Sequence, residues 1–126
     1  MKALTMVLGV VLILVGVIGF VNNPVMGLFA VDTMHNLVHI LTGALLLYAG
    51  YAGGSIMRRI AQVLGIVYLL VTILGFVAPD MANRLMAING ADNILHALLT
   101  IVFLGIGFMP QQRTIDAIET PPTTSR

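Results

Sequence analysis

The chain has 126 residues, of which 59% are apolar and 9% charged, with a mean hydropathy of +1.03. Those values lie outside the range of a water-soluble domain and place the chain in the lipid bilayer. A formal net charge of +1 offers no field for nucleic acid, and the absence of cysteine excludes a disulfide framework, a thiolate nucleophile and iron–sulfur ligation.

In chain order, the first apolar run is Ala3 to Val21, behind the single positive charge of Lys2. It is longer than a signal-peptide core and no A-x-A pattern follows it, so it reads as a span that is retained. The further runs are Met34 to Ala52, Ile60 to Ala78 and Asn93 to Met109. Turn formers separate them: Asn22, Asn23 and Pro24, then Gly53, Gly54 and Ser55, then Pro79 and Asp80, and finally Pro110. Apolar segments of this length must close their own backbone hydrogen bonds, which predicts an all-α membrane protein of four transmembrane helices over residues 1–109. The polar, proline-bearing stretch 110–126 reads as a flexible cytoplasmic tail.

The chain repeats itself. VLGVVLILVGVIGFV at 7–21 returns as VLGIVYLLVTILGFV at 63–77, and MGLFAVDTMHNLVHILTG from Met26 aligns with NRLMAINGADNILHALLT from Asn83. The fold expected is therefore two tandem helical hairpins, 3–52 and 60–109. An even number of spans per copy gives both copies the same orientation, hence pseudo-twofold symmetry along the membrane normal. Lys2, Arg58, Arg59, Arg113 and Arg126 fall on the side of the termini, against Arg84 opposite. The positive-inside rule then puts both termini in the cytoplasm, with Arg58 and Arg59 setting topology. Asp32 and Asn89 are equivalent in the repeat and stand where helix N-caps are needed.

Polar groups deep in such spans require a reason. Asn36, His39 and Gly43 share one helical face by their i, i+3, i+7 spacing, as do Asn93, His96 and Thr100. His39 lies roughly 10 Å below the helix start at ~1.5 Å per residue, too deep for its ring to reach water. Small-residue stripes, Gly9/Gly16/Gly19 and Gly65/Thr72/Gly75, offer packing surfaces on the first helix of each hairpin. The reading preferred is that Asn36, His39, Asn93 and His96 are interhelical hydrogen-bonding pins. A second reading places haem b or a related pigment macrocycle between His39 and His96, and a third makes the histidines part of a proton or ion path. His35, whose repeat partner is Asp92, is expected at the wet interface. A His35/His39 pair has metal-ligand spacing but no third ligand nearby in sequence, so no metal site is assigned and His39 and His96 remain the weak candidates. Tyr48, Tyr51 and Tyr68 read as interfacial anchors or packing residues.

LFAVDTMHNLVHILTGALLL together with AINGADNILHALLTIVFLG resembles a widespread bacterial family of small four-helix integral membrane proteins catalogued as a domain of unknown function. The likeness spans roughly residues 3–109, on the HNxxH and ADNxxH segments. It implies the fold, a location in the bacterial inner membrane and the importance of Asn36, His39, Asn93 and His96; it implies no reaction.

No nucleophile elbow, phosphate loop or HExxH is present in the sequence. The expected role is that of a non-enzymatic structural or accessory membrane component without a resident cofactor, acting as a homo-oligomer or as a subunit of a larger membrane complex.

Overall fold

Amides in an apolar run find few partners except one another, and the chain closes them into helices. The computed structural model describes residues 1–110 as five helices: α1 (Lys2–Gly19), α2 (Thr33–Ala52), α3 (Gly54–Val77), α4 (Pro79–Met86) and α5 (Gly90–Phe108). The expected tail lies outside the described residues apart from Pro110.

Helices α1, α3 and α5 are long and apolar enough to cross a membrane. Helix α2 has 20 residues, yet its first turns carry His35, Asn36 and His39, which lower its apolar content below that of the other three. All three of those side chains are buried. The outward faces of the long helices are apolar, among them Val10 and Leu14 on α1, Leu37 and Leu41 on α2, Val63 and Leu70 on α3, and Leu98 and Ile101 on α5. Polar groups inside and hydrocarbon outside is the arrangement of a membrane protein.

Two features differ from the sequence expectation. The stretch opening with Pro79 and Asp80 is helical: Pro79 stands at the helix start, where no amide is lost, and Asp80 in the first turn and Arg84 in the last complement the helix dipole. Helix α3 begins six residues before Ile60, because Gly53 and Gly54, at φ 68° and 53°, turn the chain within two residues and α3 starts on the second. Arg58 and Arg59 consequently lie within α3, with the Arg58 Nε donating to the Gly107 carbonyl at 3.4 Å.

Helix α1 packs along α2, and α3 along α5, while α2 touches α3 and the backbones of α2 and α5 hardly approach. Leu12, Leu46, Leu64, Tyr68, Leu99 and Phe103 make a core shared by all four long helices. Nearer the chain start, Ala49, Met57, Ala61 and Ile106 form a second apolar layer. At the opposite end, Asn23 brackets Val31 through its carboxamide, and Asn89 Nδ2 donates to the Leu28 carbonyl at 2.8 Å, joining the two connecting segments.

Both tight pairs rest on the same contact. A Cβ placed on Gly19 of α1 would collide with the carboxamide of Asn36, and one on Gly75 of α3 with that of Asn93. Glycine is required there because the amide occupies the space a side chain would take. Gly75→Ala should therefore lower stability by about 1–3 kcal/mol, the usual cost of forcing atoms into a filled site. Gly105, on α5, has nothing within 4 Å of its own Cβ position. Gly105→Ala should leave the thermal midpoint in detergent unchanged or slightly higher; equal losses in the two variants would refute the assignment of close approach to Gly75.

Candidate functional site

The polar interior begins at the caps. Asp32 is extended, at φ −126°, and its Oδ1 accepts from the His35 amide at 2.8 Å. Asn89 Oδ1 accepts from the Asp92 amide at 2.9 Å while Asp92 Oδ2 accepts from the Asn89 amide at 3.0 Å, a reciprocal capping box. Each cap defines where its helix starts, and so which face Asn36 or Asn93 presents one turn later.

Asn36 and Asn93 are both buried, each over a glycine of the partner helix. With its NH₂ toward the Thr72 carbonyl, the Asn93 carboxamide donates at 3.2 Å and accepts from the Phe76 amide at 3.2 Å. It thus spans one turn of α3. Asn36 is less well served, since its Oδ1 has no protein partner among the described residues.

Between the two helix pairs lie three histidines. Their ring centroids are 4.5 Å apart for His35 and His39, 5.5 Å for His35 and His96, and 6.2 Å for His39 and His96. One nitrogen from each ring falls within 4.8 Å of the others. The residues are 0%, 2% and 3% exposed respectively. Both ring nitrogens of His39 and Nδ1 of His96 have no hydrogen-bond partner among the described residues, while those of His35 lie against the backbone of Met86 and Ala30 without forming a well-aligned bond. The rings border a cavity of about 20 Å³, closed by Val38, Val67, Tyr68, Val71 and Met86.

His35 is the correction. The sequence spacing predicts a wet interfacial ring, whereas the ring is fully buried. The cause is α4, a helix the sequence reading does not contain, whose last residue, Met86, lines the histidine space. The third neighbour of the His35/His39 pair is His96, 57 positions after His39 in sequence and reached only through tertiary packing. The signal was present: the i, i+4 spacing of His35 and His39, read together with the repeat equivalence of His39 and His96, contains all three.

Of the two roles expected for Tyr68, anchor or packing residue, the structure shows the second. Tyr68 is buried edge-on against His96 and Phe103, with ring centroids 5.6 and 5.2 Å away. Its hydroxyl donates to Thr42 Oγ1 at 3.3 Å. Thr72 and Thr100 turn their hydroxyls back onto the carbonyls of Tyr68 and His96 at 2.7 and 2.8 Å. A hydroxyl layer therefore borders the histidines, with the apolar core beyond it.

Sterically, the histidine space holds one ion or one water-sized molecule. It has no gap the width of a macrocycle between His39 and His96, because Tyr68 and the valines close around the rings. Three imidazoles without thiolates suit a borderline metal such as zinc or copper.

The two carboxamides differ in a measurable way. Asn93→Ala removes two interhelical bonds and Asn36→Ala removes a group with an orphaned oxygen, so the first should cost roughly 1–2 kcal/mol, at an average of ~0.6 per bond, and the second less. Reversible unfolding in mixed micelles measures both, and a larger loss for Asn36→Ala would contradict the geometry.

No curated protein and no solved structure matches the chain. One family model does match, described as a domain of unknown function (DUF4383), over residues 2–109. That range runs from the start of α1 to just past the end of α5, and the chain therefore belongs to this family.

Proposed function

We propose that the protein is a four-span component of the bacterial inner membrane, with no reaction of its own, that acts as a structural or accessory subunit around a buried polar centre. In this reading α2 is the fourth span, and the hairpins α1/α2 and α3/α5 are related by a pseudo-twofold axis along the membrane normal. The observation that carries it is the paired contact of Asn36 on Gly19 and Asn93 on Gly75, which turns the polar residues of α2 and α5 inward and leaves hydrocarbon outside. The equivalent caps at Asp32 and Asn89 support the same symmetry.

Orientation follows from charge. Lys2, Arg58 and Arg59 gather at one end of the helices and Arg84 stands at the other, so the end with the chain start faces the cytoplasm. The histidines then lie toward the outer face. A transport role has less support, because Leu12, Leu46, Phe103 and Ile106 fill the bundle between the histidines and the cytoplasmic end. A haem or pigment role has less again, given a space of about 20 Å³.

Since the chain has no cysteine, single cysteines report topology without background. Asn83→Cys should react with a membrane-impermeant maleimide in intact spheroplasts, and Ser55→Cys only after lysis; the reverse pattern, or labelling of both, would remove the proposed orientation. Extracted from its own membrane in mild detergent, the chain should migrate in a particle larger than one 13.4 kDa protein plus its micelle. A strictly monomeric particle would defeat the accessory role. Proteoliposomes containing it should hold a proton gradient as long as empty ones do, and a specific leak abolished by His96→Ala would favour transport instead.

A further inference from the structure

The Asn93 carboxamide finds a partner for each of its polar atoms, yet both ring nitrogens of His39 and Nδ1 of His96 find none, and the rings of His35, His39 and His96 border one small space. Buried polar atoms are ordinarily paired, and orphans gathered at one point mark a position made for something else. We propose that His35, His39 and His96 bind a single divalent transition-metal ion of borderline softness, zinc or its neighbours cobalt, nickel and copper, between the two helix pairs.

Donor chemistry, distance, volume and charge agree. Neutral imidazole is the ligand these ions favour where thiolate is absent, whereas calcium and magnesium require oxygen. A tetrahedral ion with metal–nitrogen bonds of ~2.0–2.1 Å holds its ligand nitrogens roughly 3.4 Å apart. Here the three nitrogens lie within 4.8 Å, so each ring closes on the centre by an ångström or less, a side-chain rotation rather than a helix movement. The cavity of about 20 Å³ accepts one ion. Compensating negative charge is at hand: the carboxylates of Asp32 and Asp92 both lie within electrostatic reach of His35, and Asp92 is itself buried. A dication held by three neutral rings in a low-dielectric interior needs such neighbours.

This inference rests on the bundle reading only in requiring that the two helix pairs stay docked, and the test separates the two. The full-length protein, purified in detergent and stripped with a chelator, is titrated with Zn²⁺ and separately with Co²⁺. Expected are about one metal ion per chain, the visible ligand-field absorption of four-coordinate Co²⁺, and a thermal midpoint that climbs with free Zn²⁺ by mass action. His35→Ala, His39→Ala and His96→Ala should each weaken binding by more than the roughly 100-fold that loss of a supporting group costs. Asn93→Ala should melt at a lower temperature and still take up its ion. His39→Cys should keep Co²⁺ and add the near-ultraviolet charge-transfer band of a thiolate ligand; its absence from a folded His39→Cys protein overturns the site even where the alanine variants fail to fold. Wild-type protein that takes up no Zn²⁺ or Co²⁺ beyond a protein-free micelle, or alanine variants that retain full stoichiometry, also overturn it, and either outcome leaves the proposed topology standing.

Discussion

Everything in this bundle follows from a shortage of water. A polar atom inside apolar helices must be paired by the protein or remain unpaired at a cost of about 1–3 kcal/mol. Asn93 meets that condition by lying across a turn of α3, between the Thr72 carbonyl and the Phe76 amide. The contact is possible only because residue 75 is glycine, so the backbone is bare where the amide arrives. One small residue on one helix and one carboxamide on the next thus fix distance, rotation and depth together. In lipid, where apolar side chains gain little by leaving one apolar surface for another, close fits of this kind do much of what hydrophobic burial does in water.

The same condition divides the bundle along its length. Toward the chain start the interior is mainly Leu46, Ala49, Phe103 and Ile106, and its buried hydroxyl, that of Thr5, is satisfied by the Met1 carbonyl at 3.0 Å. Next come the hydroxyls of Thr42, Tyr68, Thr72 and Thr100, which satisfy one another or nearby carbonyls. Beyond them stand the histidines, under the cover of α4. Polarity is thus graded along the helices, with the unsatisfied groups concentrated at one level. A purely structural network would spread its bonds between helices, as Asn93 does. The imidazoles instead gather around one small space, with one nitrogen of each ring within 4.8 Å of the others.

Much of this was legible in the sequence, for identifiable reasons. Helices followed from uninterrupted apolar length, and their limits fell within a few residues wherever proline or a cap residue marked them, as at Asp32 and Asn89. The small-residue stripes identified Gly19 and Gly75, although apolar surroundings hide a helix's facing from periodicity alone. What the sequence did not disclose was α4. Proline and aspartate in succession read as a turn, yet the same residues open a helix well, and only tertiary packing decides between the two. From that one omission came the misplacement of His35, because a histidine in the first turn is wet or dry according to what lies over it. Tyr68 was left between anchor and packing residue for a related reason: mid-helix tyrosine is ambiguous until its hydroxyl has a partner, here Thr42.

The repeat gives the histidine cluster its meaning. The two matching segments of the sequence each carry one histidine at the same place, His39 and His96, and an exact repeat would stop at a pair. The alignment breaks at the position four residues before each: His35 in one copy, Asp92 in the other. Both are fully enclosed, at 0% and 1% exposure. The first copy contributes a third imidazole, while the second contributes a carboxylate, acting on that imidazole across the interface. Had both positions been histidine, four rings would crowd the space with no counter-charge. Had both been aspartate, two anions would face one another in a medium that screens them poorly. One of each yields three imidazoles beside a carboxyl group, the composition the proposed cation site requires and one that an exact repeat does not supply.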